Sequence, residues 1–177
     1  MSSNYFYDDI SDSCRRNRNE SDNCNDRVSS TIIRCSTPST VTIPALEDLG
    51  ATFPTTSLNL RTPSRSCCCT RLDFTSNIVV PVGFLGTISF QIFKQCRNQL
   101  TPVPVGPAFT FSRTVALVIG EANTFSFFIC DCDPNCDDET CTYSVVITNL
   151  SAITLGLTVN NATLSAISAC NENTCCC

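Results

Sequence analysis

The chain contains no histidine and no tryptophan, and it has a single lysine, Lys94, and a single methionine, Met1. Histidine is the commonest positioned proton carrier, so its absence excludes Ser-His-Asp and Cys-His nucleophilic catalysis and most catalytic zinc arrangements. Basic charge is also scarce: 11 basic against 16 acidic residues give a net charge of −5, which argues against an extended nucleic-acid surface or an anionic membrane as partner. No apolar run approaches the roughly 20 residues needed to span a bilayer. The opening MSSNYFYDDISDSC has no basic segment followed by an apolar one, so no secretory signal is visible. The densest acidic stretch, DCDPNCDDE from Asp131 to Glu139, reads as one inter-strand loop rather than carboxylates converging from several strands. The expectation is a protein that is not an enzyme and carries no cofactor.

What the chain has in quantity is cysteine, 15 in 177 residues. That fraction is about where a disulfide or metal scaffold becomes the default, although a chain of this length buries roughly 70% of its unfolded surface and builds a core without staples. Two runs are contiguous triplets, Cys67 to Cys69 and Cys175 to Cys177; the remainder are Cys14, Cys24, Cys35, Cys96, Cys130, Cys132, Cys136, Cys141 and Cys170. Neighbouring cysteines point in different directions and a disulfide wants Cα atoms roughly 4.4–6.8 Å apart, so each triplet needs partners elsewhere. The odd total cannot pair completely within one chain.

Two metal readings compete with disulfides. Cys130, Cys132, Cys136 and Cys141 invite a tetrathiolate zinc site, although their spacing is not the paired C-x-x-C of ribbons and fingers. Asp131, Asp133, Asn135 and Asp137 imitate the start of a calcium loop, but Cys136 stands where the turn glycine belongs and no bidentate Glu closes the pattern. Three N-x-S/T triplets, at Asn19, Asn149 and Asn161, are expected by chance in a chain rich in Asn, Ser and Thr.

Residues 1–30 are polar and rich in Asn, Asp, Ser and Arg, and read as an extended or flexible connector arm. From Thr31 the pattern changes to short alternating or β-branched stretches: STIIRCS, TVTIPAL, TTSLNLRT, RLDFTSNIVVPV, GTISFQIFKQC, PAFTFSRTVALVI, NTFSFFIC, CTYSVVITNL and ITLGLTVNNATLSAIS. In GTISFQIFKQC, Ile88, Phe90, Ile92 and Lys94 share one face, with Ser89, Gln91 and Phe93 on the other. No segment has an apolar stripe at helical spacing. Eight or nine strands predict an all-β fold, a jelly-roll-like antiparallel β-sandwich with an extended N-terminal arm. Residues 31–66 are arm or first strands, 67–170 the jelly-roll domain, and 171–177 a cysteine-rich tail.

The cysteines cluster on or beside the arm, at a strand opening and at the chain end. A thiol on a mobile arm reaches a neighbouring subunit once a first contact raises its effective concentration. The alternative is that the tails fold back and staple their own domain, which adds roughly 3–5 kcal/mol in the chain-entropy treatment.

The cysteine-containing arm, the CCC before a strand-rich domain, the stretch FSFFICDCDPNCDDETCTYSVVIT and the final NNATLSAIS together resemble the small cysteine-rich proteins of bacterial endospore surfaces, closest to the spore appendage (spore pilus) subunits. The resemblance implies jelly-roll subunits that self-assemble head to tail into a helical homopolymer, with anchoring or tip proteins of the spore surface as further partners. It implies synthesis without a signal peptide and oxidation after release, which reconciles the cysteine content with the missing signal. Carried over by position, inter-subunit roles would fall on Cys14, Cys24 and Cys35 or on Cys67, Cys68 and Cys69, while Cys175, Cys176 and Cys177 are inter-subunit candidates from their own place at the chain end. Acceptor or intradomain roles would fall on Cys96, Cys130, Cys132, Cys136, Cys141 and Cys170. The chain departs from the family pattern in that 66 residues precede the first triplet and a second triplet closes it. A zinc module on the Cys130 to Cys141 cluster and a secreted β-sandwich binding domain are the alternative expectations.

Overall fold

Alternating inward and outward side chains mark nine strands among the described residues: β1 (Ser30–Cys35), β2 (Ser39–Ile43), β3 (Thr52–Arg61), β4 (Cys67–Val80), β5 (Gly86–Cys96), β6 (Val103–Arg113), β7 (Glu121–Cys132), β8 (Thr140–Asn149) and β9 (Leu157–Asn171). They come from a computed structural model that describes residues 30–63, 67–97, 99–114, 121–132, 140–152 and 156–171. There is no helix among the described residues.

The pairing is nested. β2 pairs with β9, β3 with β8, β4 with β7 and β5 with β6, all antiparallel, so the chain forms one long two-stranded ribbon with β5 and β6 at its closed end. Rolling that ribbon brings β4 against β9 and β5 against β8. Two sheets result, one ordered β1-β9-β4-β7 with β2 also on β9, the other β3-β8-β5-β6. This is jelly-roll connectivity, and it is all-β as the alternation implied.

β1 and β2 share one edge of β9, β1 against Ser165 to Cys170 and β2 against Leu157 to Ala162. They act as a single edge strand interrupted at Pro38, which has no N–H to give the ladder. Ser36 spans the interruption: its N–H donates to Leu164 O at 2.8 Å, and its hydroxyl accepts from Leu164 N at 2.9 Å and from Thr56 Oγ1 at 2.7 Å. β1, β2 and β3 therefore belong to the sandwich rather than extending the arm.

Between the sheets lies a core dominated by phenylalanine, consistent with the absence of tryptophan. Phe74, Phe125 and Phe127 from one sheet meet Phe90 and Phe109 from the other, with ring centroids 5.6 Å apart for Phe74 and Phe90, 4.6 Å for Phe90 and Phe125 and 4.2 Å for Phe109 and Phe127. Leu72, Ile78, Ile88, Ile92, Val145 and Ile147 fill the remainder, each essentially inaccessible to water.

Register carries sulfur to one pole. Ser30, Cys170 and Cys68 lie in one row across β1, β9 and β4; Cys69 faces Cys132; Cys96 faces Cys141. The described chain therefore begins at Ser30 and ends at Asn171 at the same pole.

Candidate functional site

Among the described residues, three disulfides staple that pole. Cys68–Cys170 joins β4 to β9, Cys69–Cys132 joins β4 to β7, and Cys96–Cys141 joins β5 to β8. Within the first triplet, adjacent residues of a strand point to opposite faces, so two neighbours serve two partners. Cys68 faces the core side, bonded to the buried Cys170, while Cys69 and Cys132 are exposed on the outer face.

These bridges correct part of the sequence expectation. Cys68 and Cys69 were candidates for inter-subunit bonds and instead bond within the chain, because register sets Cys170 and Cys132 directly opposite them. The tetrathiolate zinc alternative is corrected for the same reason: Cys132 and Cys141 are bonded to Cys69 and Cys96. Cys67 opens β4. Cys14, Cys24, Cys136 and Cys175 to Cys177 lie outside the described residues, as do Asp133, Asn135 and Asp137 of the calcium-like pattern and most of the expected connector arm.

Cys35 and Cys130 are free, and both are exposed. They occupy one surface, the outer face of the β1-β9-β4-β7 sheet, near its two opposite edges. Rows run Ile33, Ile167, Arg71, Cys130 and then Cys35, Ser165, Asp73, Phe128. Three strand spacings and a two-residue offset separate the two thiols by about 16 Å. That is far beyond disulfide reach, so they cannot bond to each other within one chain.

The surface between them is partly apolar. Ile33, Ile167 and Phe128 are 62%, 43% and 57% exposed. The Arg71 guanidinium lies 4.4 Å from the centre of the Phe128 ring, a cation–π arrangement. Arg71 donates to both carboxylate oxygens of Asp73 at 2.9–3.1 Å, and that hydrogen bonding, reinforced by the Asp73 charge, raises the Arg71 pKa. Beside them is an open groove bordered by Arg71, Asp73, Phe128, Thr163 and Ser165.

Edges of the sheets differ in how they are guarded. β3 carries Pro54 and β6 carries Pro104 and Pro107, which blunt an edge by removing ladder donors. β1 and β7 carry no proline and pair on one side only among the described residues.

Sequence reasoning missed one polar network. Lys94 follows the parity of Ile88, Phe90 and Ile92 to the inner face, where its Nζ lies 3.1 Å from Asp131 of the opposite sheet. Tyr143 donates its hydroxyl to the same carboxylate at 2.6 Å. The signal was present, since the only lysine sits at an inward position, but no spacing rule names the carboxylate across the sandwich. Asn149, in one of the chance N-x-S/T triplets, is fully buried, with Nδ2 donating to the carbonyls of Glu47 and Asp48 at 3.0 and 3.1 Å. Asn161 is exposed with a φ of 54°, and Asn19 lies outside the described residues.

Comparison with known proteins places the chain in context. Residues 29–169 match a family model described as a domain of unknown function (DUF4489). No curated protein matches the chain. Among solved structures, the infectious bursal disease virus Gx strain is similar over 79% of this chain at 10% identity, with a TM-score of 0.46. The Eiger TNF of S. frugiperda is similar over 77% of this chain and 91% of its own at 7% identity, with a TM-score of 0.41. The chain spans 38% of the viral chain's length.

Proposed function

The chain belongs to the DUF4489 family, whose model covers nearly the whole described sandwich, and on that premise we propose that it is a structural subunit of a disulfide-cross-linked extracellular fibre or spore-surface appendage. The observation that carries this reading is the pair Cys35 and Cys130, unpaired, exposed and about 16 Å apart on one sheet face. A bond from Cys35 of one copy to Cys130 of the next uses different patches on the two partners. Such a heterologous contact leaves each copy with one thiol for the following copy, and growth need not close.

Two further features support it. Among the described residues the outer edges of β1 and β7 carry no strand and no proline, which suits an added strand that brings main-chain hydrogen bonds before any covalent link forms. The exposed Ile33, Ile167 and Phe128 supply apolar area beside both thiols. Bridges of this kind persist in oxidising surroundings, in keeping with a product oxidised after release and with the resemblance of the cysteine pattern to spore appendage subunits.

The test is a denaturing gel with electron microscopy of the purified protein. A ladder of oligomers without reductant, collapsing to monomer with reductant, together with fibres in the micrographs, is the expected result. A single monomer band under both conditions and isolated particles would refute the proposal.

A further inference from the structure

Three sulfur positions lie within two rows of the same outer face. Cys69 and Cys132 are bonded to each other, exposed, at the ends of β4 and β7. Cys130 is two residues up β7 on the same side and carries a free, exposed thiol. Alternation guarantees this arrangement, because the intervening Asp131 turns inward to Lys94. A thiol held beside an accessible disulfide is the geometry of exchange.

We propose that this corner is a thiol–disulfide exchange site in which Cys130 opens the Cys69–Cys132 bridge. The Cys130 thiolate attacks Cys132 Sγ; the Cys132–Cys69 bond breaks, a Cys130–Cys132 bond forms, and Cys69 leaves as a thiolate that takes up the proton Cys130 gave up. The step is redox-neutral and needs no external oxidant. Cys130 and Cys132 stand about 6.8 Å apart at Cα along the extended strand, the outer limit for a bridge, so forming their bond bends the end of β7 out of the extended form; Cys69, the diagonal neighbour at about 7–8 Å, is fixed on the interior strand β4. Cys132 is also the last residue of β7, where one side of the ladder ends.

Exchange moves the free thiol from the edge strand β7 to Cys69 on the interior strand β4 and unties the two strands at the sulfur pole. The face then presents a reactive thiol at either of two places, while Cys68–Cys170 and Cys96–Cys141 keep the sandwich closed. This inference is independent of polymer formation, because every atom in the step belongs to one chain.

The test holds the oxidised full-length chain at mildly alkaline pH without added thiol, quenches with acid, alkylates, and locates the label by mass spectrometry of non-reduced peptides. The expected result is label on Cys69 in the wild-type chain, raised at least about tenfold over a Cys130→Ser control, at a rate independent of protein concentration. Cys130 is exposed, so the control folds without disturbing the core. Label confined to Cys130 after a prolonged hold overturns the proposal. A rate that rises with protein concentration, or that disappears in Cys35→Ser, assigns the attack to a second copy and overturns it equally. Loss of the oligomer ladder in Cys35→Ser with Cys69 labelling unchanged separates this site from the cross-linking proposed above.

Discussion

Removing the bridge between β5 and β8 tests whether the sulfur pole is held as described. Cys96 and Cys141 are both buried and separated by 45 residues. In the chain-entropy treatment a loop of that length restricts the unfolded chain by about 4 kcal/mol at 25 °C. The double substitution Cys96→Ala with Cys141→Ala releases that restriction and also removes two buried sulfurs from the end of the core. For a chain of this size, a loss of this order lowers the melting temperature by about 10 °C. The assay is urea and thermal unfolding by far-ultraviolet circular dichroism, without reductant, on protein whose exposed thiols have been capped with iodoacetamide. The denaturant slope supplies a second readout, since an unbridged unfolded chain exposes more surface and m rises. An unchanged midpoint and an unchanged slope would refute the pairing.

In the core, Phe74→Ala deletes a ring packed against Phe90 and Phe127 and is expected to cost about 3–5 kcal/mol in urea titration, while Val79→Ser on the outer face of the same strand stays within about 0.5 kcal/mol. Lys94→Met leaves the Asp131 carboxylate without its cation, and a loss of about 3 kcal/mol at neutral pH is expected, largely restored by Lys94→Met with Asp131→Leu. The Glu121 carboxyl is held below its ordinary pKa by hydrogen bonding from Arg113, so its small contribution is present above the ordinary carboxylate range and lost as pH falls through the lowered value. Glu121→Gln should therefore lower stability slightly at neutral and alkaline pH and converge on the wild type in acid, which flattens the acid limb of the stability curve.

The strands were legible because one face of each is buried, which prints a period of two onto the sequence. GTISFQIFKQC placed Ile88, Phe90 and Ile92 on one face, and the structure buries all three. STIIRCS and TVTIPAL carried the same pattern in shorter form, and their place in the sandwich became visible only through β9, with which both pair. Disulfide partners were not legible because they follow from cross-strand register. Nothing local to Cys69 points to Cys132, 63 residues away, yet once Phe74 is set opposite Phe127 the ladder brings the two cysteines face to face. The same holds for Lys94 and Asp131, whose meeting depends on how two sheets stack. The candidate face was legible only as cysteine types; its geometry came from the roll of the ribbon.

The most direct test of the central claim mixes isotopically heavy and light full-length chains in reductant, lets them oxidise and assemble together, and maps non-reduced peptides by mass spectrometry. The account predicts heavy-to-light bridges containing Cys35, Cys130 or, after exchange, Cys69, with Cys68–Cys170, Cys69–Cys132 or its exchange product Cys130–Cys132, and Cys96–Cys141 found only heavy-to-heavy and light-to-light. Bridges confined to chains of one isotope throughout, with Cys35 and Cys130 recovered as thiols, would contradict it.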